Sequence, residues 1–185
     1  MIYFTSDQHF GHKNIIQYCN RPYSSIEEMN ESLINNFNNI VTGDDVTYHL
    51  GDFALSKKYL PIVQRLNGKH HLITGNHDHC YPWKGFKNKY INLYLDAGFS
   101  TIEREMELEI DGLGLCLLNH MPYIGDSHNN DRYQQFRPVK DNKHRHLLCG
   151  HIHNKWKMTD NMINVGVDVW DYKPASIEQI FNLIN

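Results

Sequence analysis

No stretch of this chain approaches the roughly 18 consecutive apolar residues of a membrane-spanning helix, so no membrane segment is expected. The opening MIYFTSDQHF reaches a charge at Asp7, which leaves no room for the apolar region of a secretory signal. Charge of one sign is also lacking. Against 18 Lys and Arg stand 21 Asp and Glu, a net charge of -3, which gives no general pull toward a polyanion and argues against duplex nucleic acid as a partner. Cys19, Cys80, Cys116 and Cys149 are far apart and form no CxxC pair, so neither a disulfide framework nor a thiolate zinc site is expected. Reduced thiols in a cytoplasmic protein fit that spacing. There is no internal repeat or low-complexity linker, and nothing in the composition fixes an oligomeric state.

What is present is one domain's worth of core. A chain of 185 residues that is 41% hydrophobic buries one substantial core, so residues 1–185 read as a single domain. Ile2 to Ser6 is a β-prone run that stops at Asp7-Gln8-His9. From Ser25, the residues Ile26, Met29, Leu33, Ile34, Phe37, Ile40 and Val41 recur at three and four, capped by Ser24 or Ser25 with Glu27 and Glu28 in the first turn: a helix. Val46 to Leu50 reads as a strand ending at Gly51-Asp52, Lys58 to Leu66 as a short helix, and His70 to Thr74 as a strand ending at Gly75-Asn76-His77-Asp78. Ser100 to Ile110 and Leu113 to Leu118 flank an Asp111-Gly112 turn as a hairpin that ends at Asn119-His120. Gly125 to Arg145 is a long polar loop of the kind that forms lids. Leu147 to Cys149 is a strand ending at Gly150-His151-Ile152-His153, and Met162 to Val169 is another.

Histidine is abundant, 13 in 185 residues, and its placement is informative. Five strands end in carboxylate, amide or imidazole groups, the α/β arrangement whose sites form beyond the carboxyl ends of strands. Oxygen and imidazole donors without thiolate suit Mn, Fe, Zn, Ni or Mg bound catalytically. In an extended segment residues i and i+2 point the same way, so Asp7 with His9, and His151 with His153, can share one ion; at a turn each pair can straddle two. Gly51, Gly75 and Gly150 permit the close backbone approach that a crowded site requires.

The blocks Asp7-x-His9, Gly51-Asp52, Gly75-Asn76-His77-Asp78, Asn119-His120 and Gly150-His151-x-His153, in this order, resemble the calcineurin-like metallophosphoesterase superfamily, whose pattern is DxH, GDxx, GNH(D/E), H, GHxH. They run from Asp7 to His153. The resemblance implies a four-layer α/β/β/α sandwich of two mainly mixed sheets flanked by helices, with a dinuclear centre at the strand C-terminal ends. It implies two divalent ions, Mn foremost and Fe, Ni, Zn, Co or Mg as alternatives. Asp7, His9 and His153 would ligate the first ion; Asn76, His120 and His151 the second; Asp52 would bridge them. His77 would protonate the leaving group, and Asp78 would hold its ring cationic. The reaction implied is in-line attack by a hydroxide between the ions on a phosphate ester. One departure is GDFALSKK, where many members carry an acid or glycine soon after GD.

Two longer stretches, SDQHFGHKNIIQYCNRP and NVGVDVWDYKP, resemble a small bacterial and phage branch of that superfamily. They make His12, Asn14 and Arg21 candidate substrate contacts. Arg132, Tyr133 and Arg137 are candidates for a phosphate or base clamp, against a solvated loop. Trp156 and Trp170 read as core, His49 as satisfied by backbone, His70, His71, His144 and His146 as surface or strand-entry residues, and His79 and His128 as bystanders. The expected activity is hydrolysis of a small phosphate ester, a phosphodiester or nucleotide-type substrate, since no insert is available to grip a phosphoprotein. The alternatives are a metal-site scaffold without catalysis and a single-strand nuclease.

Overall fold

The computed structural model of the chain describes residues 1–81, 88–128 and 131–185. In chain order its elements are β1 (Ile2–Thr5), α1 (Lys13–Tyr18), α2 (Ile26–Asn38), β2 (Val46–His49), β3 (Lys69–Ile73), α3 (Asn88–Ala97), β4 (Thr101–Glu103), β5 (Glu105–Ile110), β6 (Gly114–Asn119), β7 (His146–Cys149), β8 (Met158–Thr159), β9 (Met162–Asn164), β10 (Ala175–Ser176) and α4 (Ile177–Ile184). They form two five-stranded mixed sheets, ordered β10-β1-β2-β3-β4 and β5-β6-β7-β9-β8. In the first, β1 to β4 are parallel and β10 is antiparallel. In the second, β6, β7 and β9 are parallel, with β5 and β8 antiparallel at the edges.

Alternation along β1 explains the layering. Tyr3 faces the helices, where it joins Met29, Leu33 and Phe37 of α2 and Tyr94 of α3. Its neighbour Phe4 faces the second sheet and packs with Ile73, Leu118, Leu148 and Ile163. The helix α2 starts where its sequence directs, with Ser25 Oγ accepting from the Glu28 amide at 3.1 Å. At the chain's end α4 is set by a capping box between Ser176 and Gln179, and it adds Ile180 to the layer between the sheets.

Several sequence expectations change. The run Ser100 to Ile110 is not one strand: it breaks at Arg104, so β4 completes the first sheet and β5 begins the second. The strand from Met162 stops at Asn164, because Asn164 Oδ1 accepts from the Gly166 amide at 2.8 Å and turns the chain into a short 3₁₀ helix, Val167–Val169. Lys57–Arg65 is a 3₁₀ helix that contains Pro61, a residue without an amide donor. On the outer face of the second sheet Leu117, Leu147, Cys149 and Met162 are covered by Tyr123 and Trp156 from loops. No described helix residue joins that cluster; two mixed sheets with flanking helices make an α/β sandwich. The polar segment 125–145 is mainly loop with one 3₁₀ turn, Gln134–Phe136, and its residues 129–130 fall outside the described set. No described helix is long and apolar enough to cross a membrane, and all four cysteines are free and buried.

Candidate metal centre

Each of the five motifs follows a parallel strand: Asp7 and His9 follow β1, Asp52 β2, Asn76 and His77 β3, His120 β6, and His151 and His153 β7. The first three strands belong to one sheet and the last two to the other, so the centre forms where the carboxyl ends of the two sheets meet. Backbone hydrogen bonds fix the meeting. The amides of Asp7 and His9 donate to the carbonyls of Gly51 and Asp52 at 3.0 Å, and the Gly150 amide to the His120 carbonyl at 3.0 Å. The His151 amide donates to Asp7 Oδ2 at 3.0 Å, across the two sheets. A Cβ on Gly150 would stand 2.0 Å from Ser6 Oγ and 2.4 Å from Asp7 Oδ2, so only glycine permits the approach.

The backbone at these positions is unusual. Among the described residues ten non-glycine residues have positive φ, and five of them are Asp7, His9, Asp52, His151 and His153, at 51° to 71°. Left-handed backbone is rarely adopted by such residues and collects at functional sites. The i, i+2 pairs are therefore turn residues beyond the strand ends, not same-face positions of an extended strand.

The side chains converge on Asp52. Its Oδ2 lies 3.6 Å from His9 Nε2, 3.5 Å from His120 Nε2 and 4.0 Å from His77 Nε2, while His9 Nε2 is 3.8 Å from Asp7 Oδ1. Asp7, His9 and His153 form one group whose ligand atoms lie within 4.8 Å of one another; Asp7, Asp52 and His120 form another. Asn76 Oδ1 is 3.1 Å from His120 Nε2 and 2.9 Å from His151 Nδ1. His120 Nδ1 lies 2.7 Å from the Leu50 carbonyl, which can only accept a hydrogen bond, so Nδ1 carries the hydrogen and donates. Its Nε2 then faces the oxygens of Asn76 and Asp52. Asp7 Oδ1 and both ring nitrogens of His9 are buried without a hydrogen-bond partner, as metal-ligand atoms are.

Protonation follows burial and charge. Burial pushes His9 well below its usual range, with His153 and His77 adding to the shift. It takes His151 down to about 3, with His120 adding. Both rings are neutral, the form that ligates. His153 is opposite: burial lowers it, but Asp7 and Asp168 outweigh burial and raise it well above the ordinary value. The carboxylates around it thus hold a positive charge at the place where a divalent ion would supply one. Oxygen and imidazole donors with these properties fit a divalent cation.

The surroundings revise several candidate roles. Arg21 is buried and does not face the cavity. Its Nε and Nη2 hold both oxygens of Asp168 at 2.7 and 2.9 Å, while Nη2 and Nη1 donate to the Asp7 and Gln8 carbonyls at 2.7 and 2.9 Å. With its donors so taken it holds the first motif rather than substrate. Asp168 accepts from His153 Nδ1 at 3.2 Å and so orients that ring. Cys19 comes near the same pair, but Arg21 occupies the Asp168 carboxylate, so this third cluster does not suit a cation. Asn14 is exposed on α1 and lies off the cavity wall, whereas His12 is on it, lowered by burial to about 4.

Asp78 is fully buried. Its Oδ2 accepts from the amides of Asp52 and Gly75 at 2.9 and 2.8 Å, and its Oδ1 from Tyr94 Oη at 3.3 Å. It shapes the loop that carries His77. The His77 amide donates to Asp52 Oδ1 at 2.7 Å, and its half-exposed ring lies on the wall of a cavity of about 130 Å³ shared with the ligand set, Arg132 and Tyr133. Arg137 instead donates to the Gly125 and Arg132 carbonyls and pairs with Asp131, stapling its loop. His70, His144 and His146 are buried rather than on the surface. His49 bonds to side chains, not backbone: Gln8 Nε2 at 2.9 Å and His70 Nδ1 at 3.1 Å, with His70 Nε2 reaching the Leu66 carbonyl at 3.2 Å. Trp170 is core, as expected, its Nε1 donating to the Asn164 carbonyl at 2.7 Å.

Sequence reasoning passed over Asp126 and Asp168. Asp126 lies on the 125–145 loop, with Oδ2 3.5 Å from His151 Nε2 and Oδ1 3.0 Å from Arg132 Nη2. The one available signal was positional: Asp126 follows the His120 motif by six residues, and Asp168 lies just beyond a strand.

Comparison with known proteins places the chain among relatives. It is 35% identical over 187 residues to the uncharacterized protein MJ1445 of Methanocaldococcus jannaschii, covering 99% of this chain and 90% of that one, and it belongs to that family. It is also 29% identical over 198 residues to the Gene 66 protein of Mycobacterium phage L5, covering 99% and 93% of the two chains. The crystal structure of AQ665 from Aquifex aeolicus, a protein of unknown function, superposes with a TM-score of 0.71 at 28% identity, over 99% of this chain and 98% of that one. No family model matches the chain.

Proposed function

We propose that this protein is a dinuclear metallophosphoesterase of the calcineurin-like type, acting in the cytoplasm on small phosphate esters of the diester or nucleotide class. The observation that carries the reading is the convergence of Asp7, His9, Asp52, His120 and His153 on one buried point, where Asp7 Oδ1 and His9 Nε2 have no hydrogen-bond partner. Asp7, His9 and His153 would hold one divalent ion, Asn76, His120 and His151 the other, with Asp52 between them. Bound there, the two ions supply positive charge to the phosphoryl oxygens and an activated water.

The chain's own residues do the rest. Asp52 is fixed by the His77 amide on Oδ1, so its Oδ2 stays aimed at the centre. His77 Nε2 stands 4.0 Å from that oxygen with a half-exposed ring, placed to give its proton to the departing ester oxygen. Asp78 holds the loop from beneath, and Asp168 with Arg21 holds His153 from behind. Loop backbone and buried carboxylates thus set the geometry before substrate arrives.

The test is hydrolysis of bis-p-nitrophenyl phosphate and p-nitrophenyl phosphate by protein reconstituted with Mn²⁺, with bound metal counted separately. His77→Ala is expected to keep its metal and lose about 10²–10⁴ in kcat. Asp52→Asn is expected to lose metal. If the wild-type protein, tried with Mn, Ni, Co, Fe, Zn and Mg, hydrolyses neither ester, the reading fails.

A further inference from the structure

The cavity beside the centre does not end there. A second cavity of about 240 Å³ adjoins it, and the two share Ile15, Tyr18, Ser127, His128 and His153. Cys19, Asn154 and Lys155 line only the second; His77 lines only the first. The seam is formed by α1 on one side and the Ser127-His128 loop on the other. That loop is anchored by Asp126, which accepts from the His128 amide at 2.9 Å and pairs with Arg132. Together the cavities reach the size of small-molecule sites, about 300–1,000 Å³. The first alone holds little beyond a phosphate.

We propose that the second cavity receives the organic group that stays on phosphorus, and that this group is a nucleoside stacked on Tyr18 with Lys155 at its acceptor edge. The inference rests on the phosphoesterase reading above and adds the side of the substrate that the enzyme recognises. In an in-line displacement the entering oxygen forms its bond to phosphorus as the bond to the leaving oxygen breaks, and that oxygen takes the proton. The group beside His77 therefore departs. A cavity without His77, but walled by the ligand His153, faces a substituent that is retained. The products are then an alcohol and a nucleoside monophosphate.

Tyr18 suits the stacking role. It is 66% exposed, one of the most exposed large apolar side chains among the described residues, and it lines both cavities. Its ring is held edge-to-face against His12, centroids 6.3 Å apart at 85°. An aromatic face kept at a cavity seam and not buried in the core is a platform for a planar ligand, and stacking a base on such a ring contributes about 1–3 kcal/mol. Lys155 is exposed and lines the same cavity, a cation for the carbonyl oxygens of a base. Neither side chain supports the core, so truncating them leaves the fold intact.

The experiment uses Mn²⁺-loaded full-length protein and three esters with the same leaving group: thymidine 5′-(p-nitrophenyl phosphate), methyl p-nitrophenyl phosphate and p-nitrophenyl phosphate. The nucleotide ester is expected to have the lowest KM. Tyr18→Ala is expected to raise that KM about tenfold relative to the KM for p-nitrophenyl phosphate, since 1.4 kcal/mol is tenfold; Tyr18→Trp is expected to restore the ratio. Lys155→Met is expected to move the same KM in the same direction. Calorimetric titration of thymidine 5′-monophosphate into wild type and Tyr18→Ala reads the pocket without turnover. Equal nucleotide affinity in the two proteins overturns the pocket even where hydrolysis is normal. Tight binding lost in Tyr18→Ala, with no ester hydrolysed, upholds the pocket and fails the enzyme reading. A KM for p-nitrophenyl phosphate that rises with Tyr18→Ala as much as that of the nucleotide ester assigns the cavity to the leaving group and overturns the proposal.

Discussion

Arg21→Met separates a substrate contact from a buried clamp. The sequence made Arg21 a candidate for binding substrate; in the fold its guanidinium lies under the first motif, paired through two hydrogen bonds with a buried Asp168 and bonded to the carbonyls of Asp7 and Gln8. Removing it leaves the carboxylate of Asp168 buried with only His153 as a partner, and strips two carbonyls. Burial pushes Asp168 toward protonation and Arg21 outweighs it, holding the group below the usual carboxylate range. Breaking a buried pair on one side costs about 3–5 kcal/mol. In a chain of this size that is a fall of about 6–20 °C in Tm. Because Arg21 also holds the Asp7 backbone, metal affinity is expected to fall with stability. Arg21→Lys is expected to behave nearly as badly, as a point charge cannot serve both carboxylate oxygens and two carbonyls. In the double variant Arg21→Met with Asp168→Asn the stability loss is expected to be smaller than in Arg21→Met alone, because the unpaired charge is gone. The assays are thermal unfolding and metal content. A wild-type Tm and metal content with a raised KM alone would restore the substrate role and refute the clamp.

Two further outcomes follow from the packing. Gly150→Ala forces a Cβ against Ser6 and Asp7, at an overpacking cost of about 1–3 kcal/mol, and is expected to spread the two sheets and weaken metal binding. Gly43→Ala, with nothing within 4 Å of its added Cβ, is the silent control in the same denaturation and metal titrations. His49 bears on pH. Burial holds it far below its usual range, and His70 is lowered by burial as well. The unfolded chain takes up these protons near pH 6.5 while the folded chain refuses them, so neither ring costs stability above that pH. Below it each ring costs up to about 1.4 kcal/mol per pH unit. His49→Phe, set among Phe37, Phe53 and Phe99, is expected to lose about 1–3 kcal/mol at pH 7.5 through the lost ring partners of Gln8 and His70. Between pH 6.5 and 5 it is expected to lose less than wild type. Parallel urea-unfolding curves against pH would contradict the buried neutral ring.

The sequence alone determined the elements whose signal is local. The α2 period with Ser25 as cap, the hairpin at Asp111-Gly112, and strands that stop at Asp7, Asp52, Asn76, His120 and His151 all depend on neighbours within a few residues. The candidate ligands were legible for the same reason: a strand end in an α/β chain places its polar residue at one edge, whatever the rest of the fold does. Other features depended on residues far away in the chain. Arg104 marks a change of sheet because each half of that run has a different partner strand, which no alternation within it reveals. Arg21 is a clamp because Asp168, 147 residues later, lies beside it. His49 bonds to Gln8 and His70 and not to backbone because β1, β2 and β3 are neighbours in one sheet. Left-handed backbone at five candidate-ligand positions is a consequence of loops from two sheets crowding one centre. The chemistry of the groups was written in the sequence; which of them gather at the candidate centre, which face a cavity and which only hold others in place was decided by long-range packing.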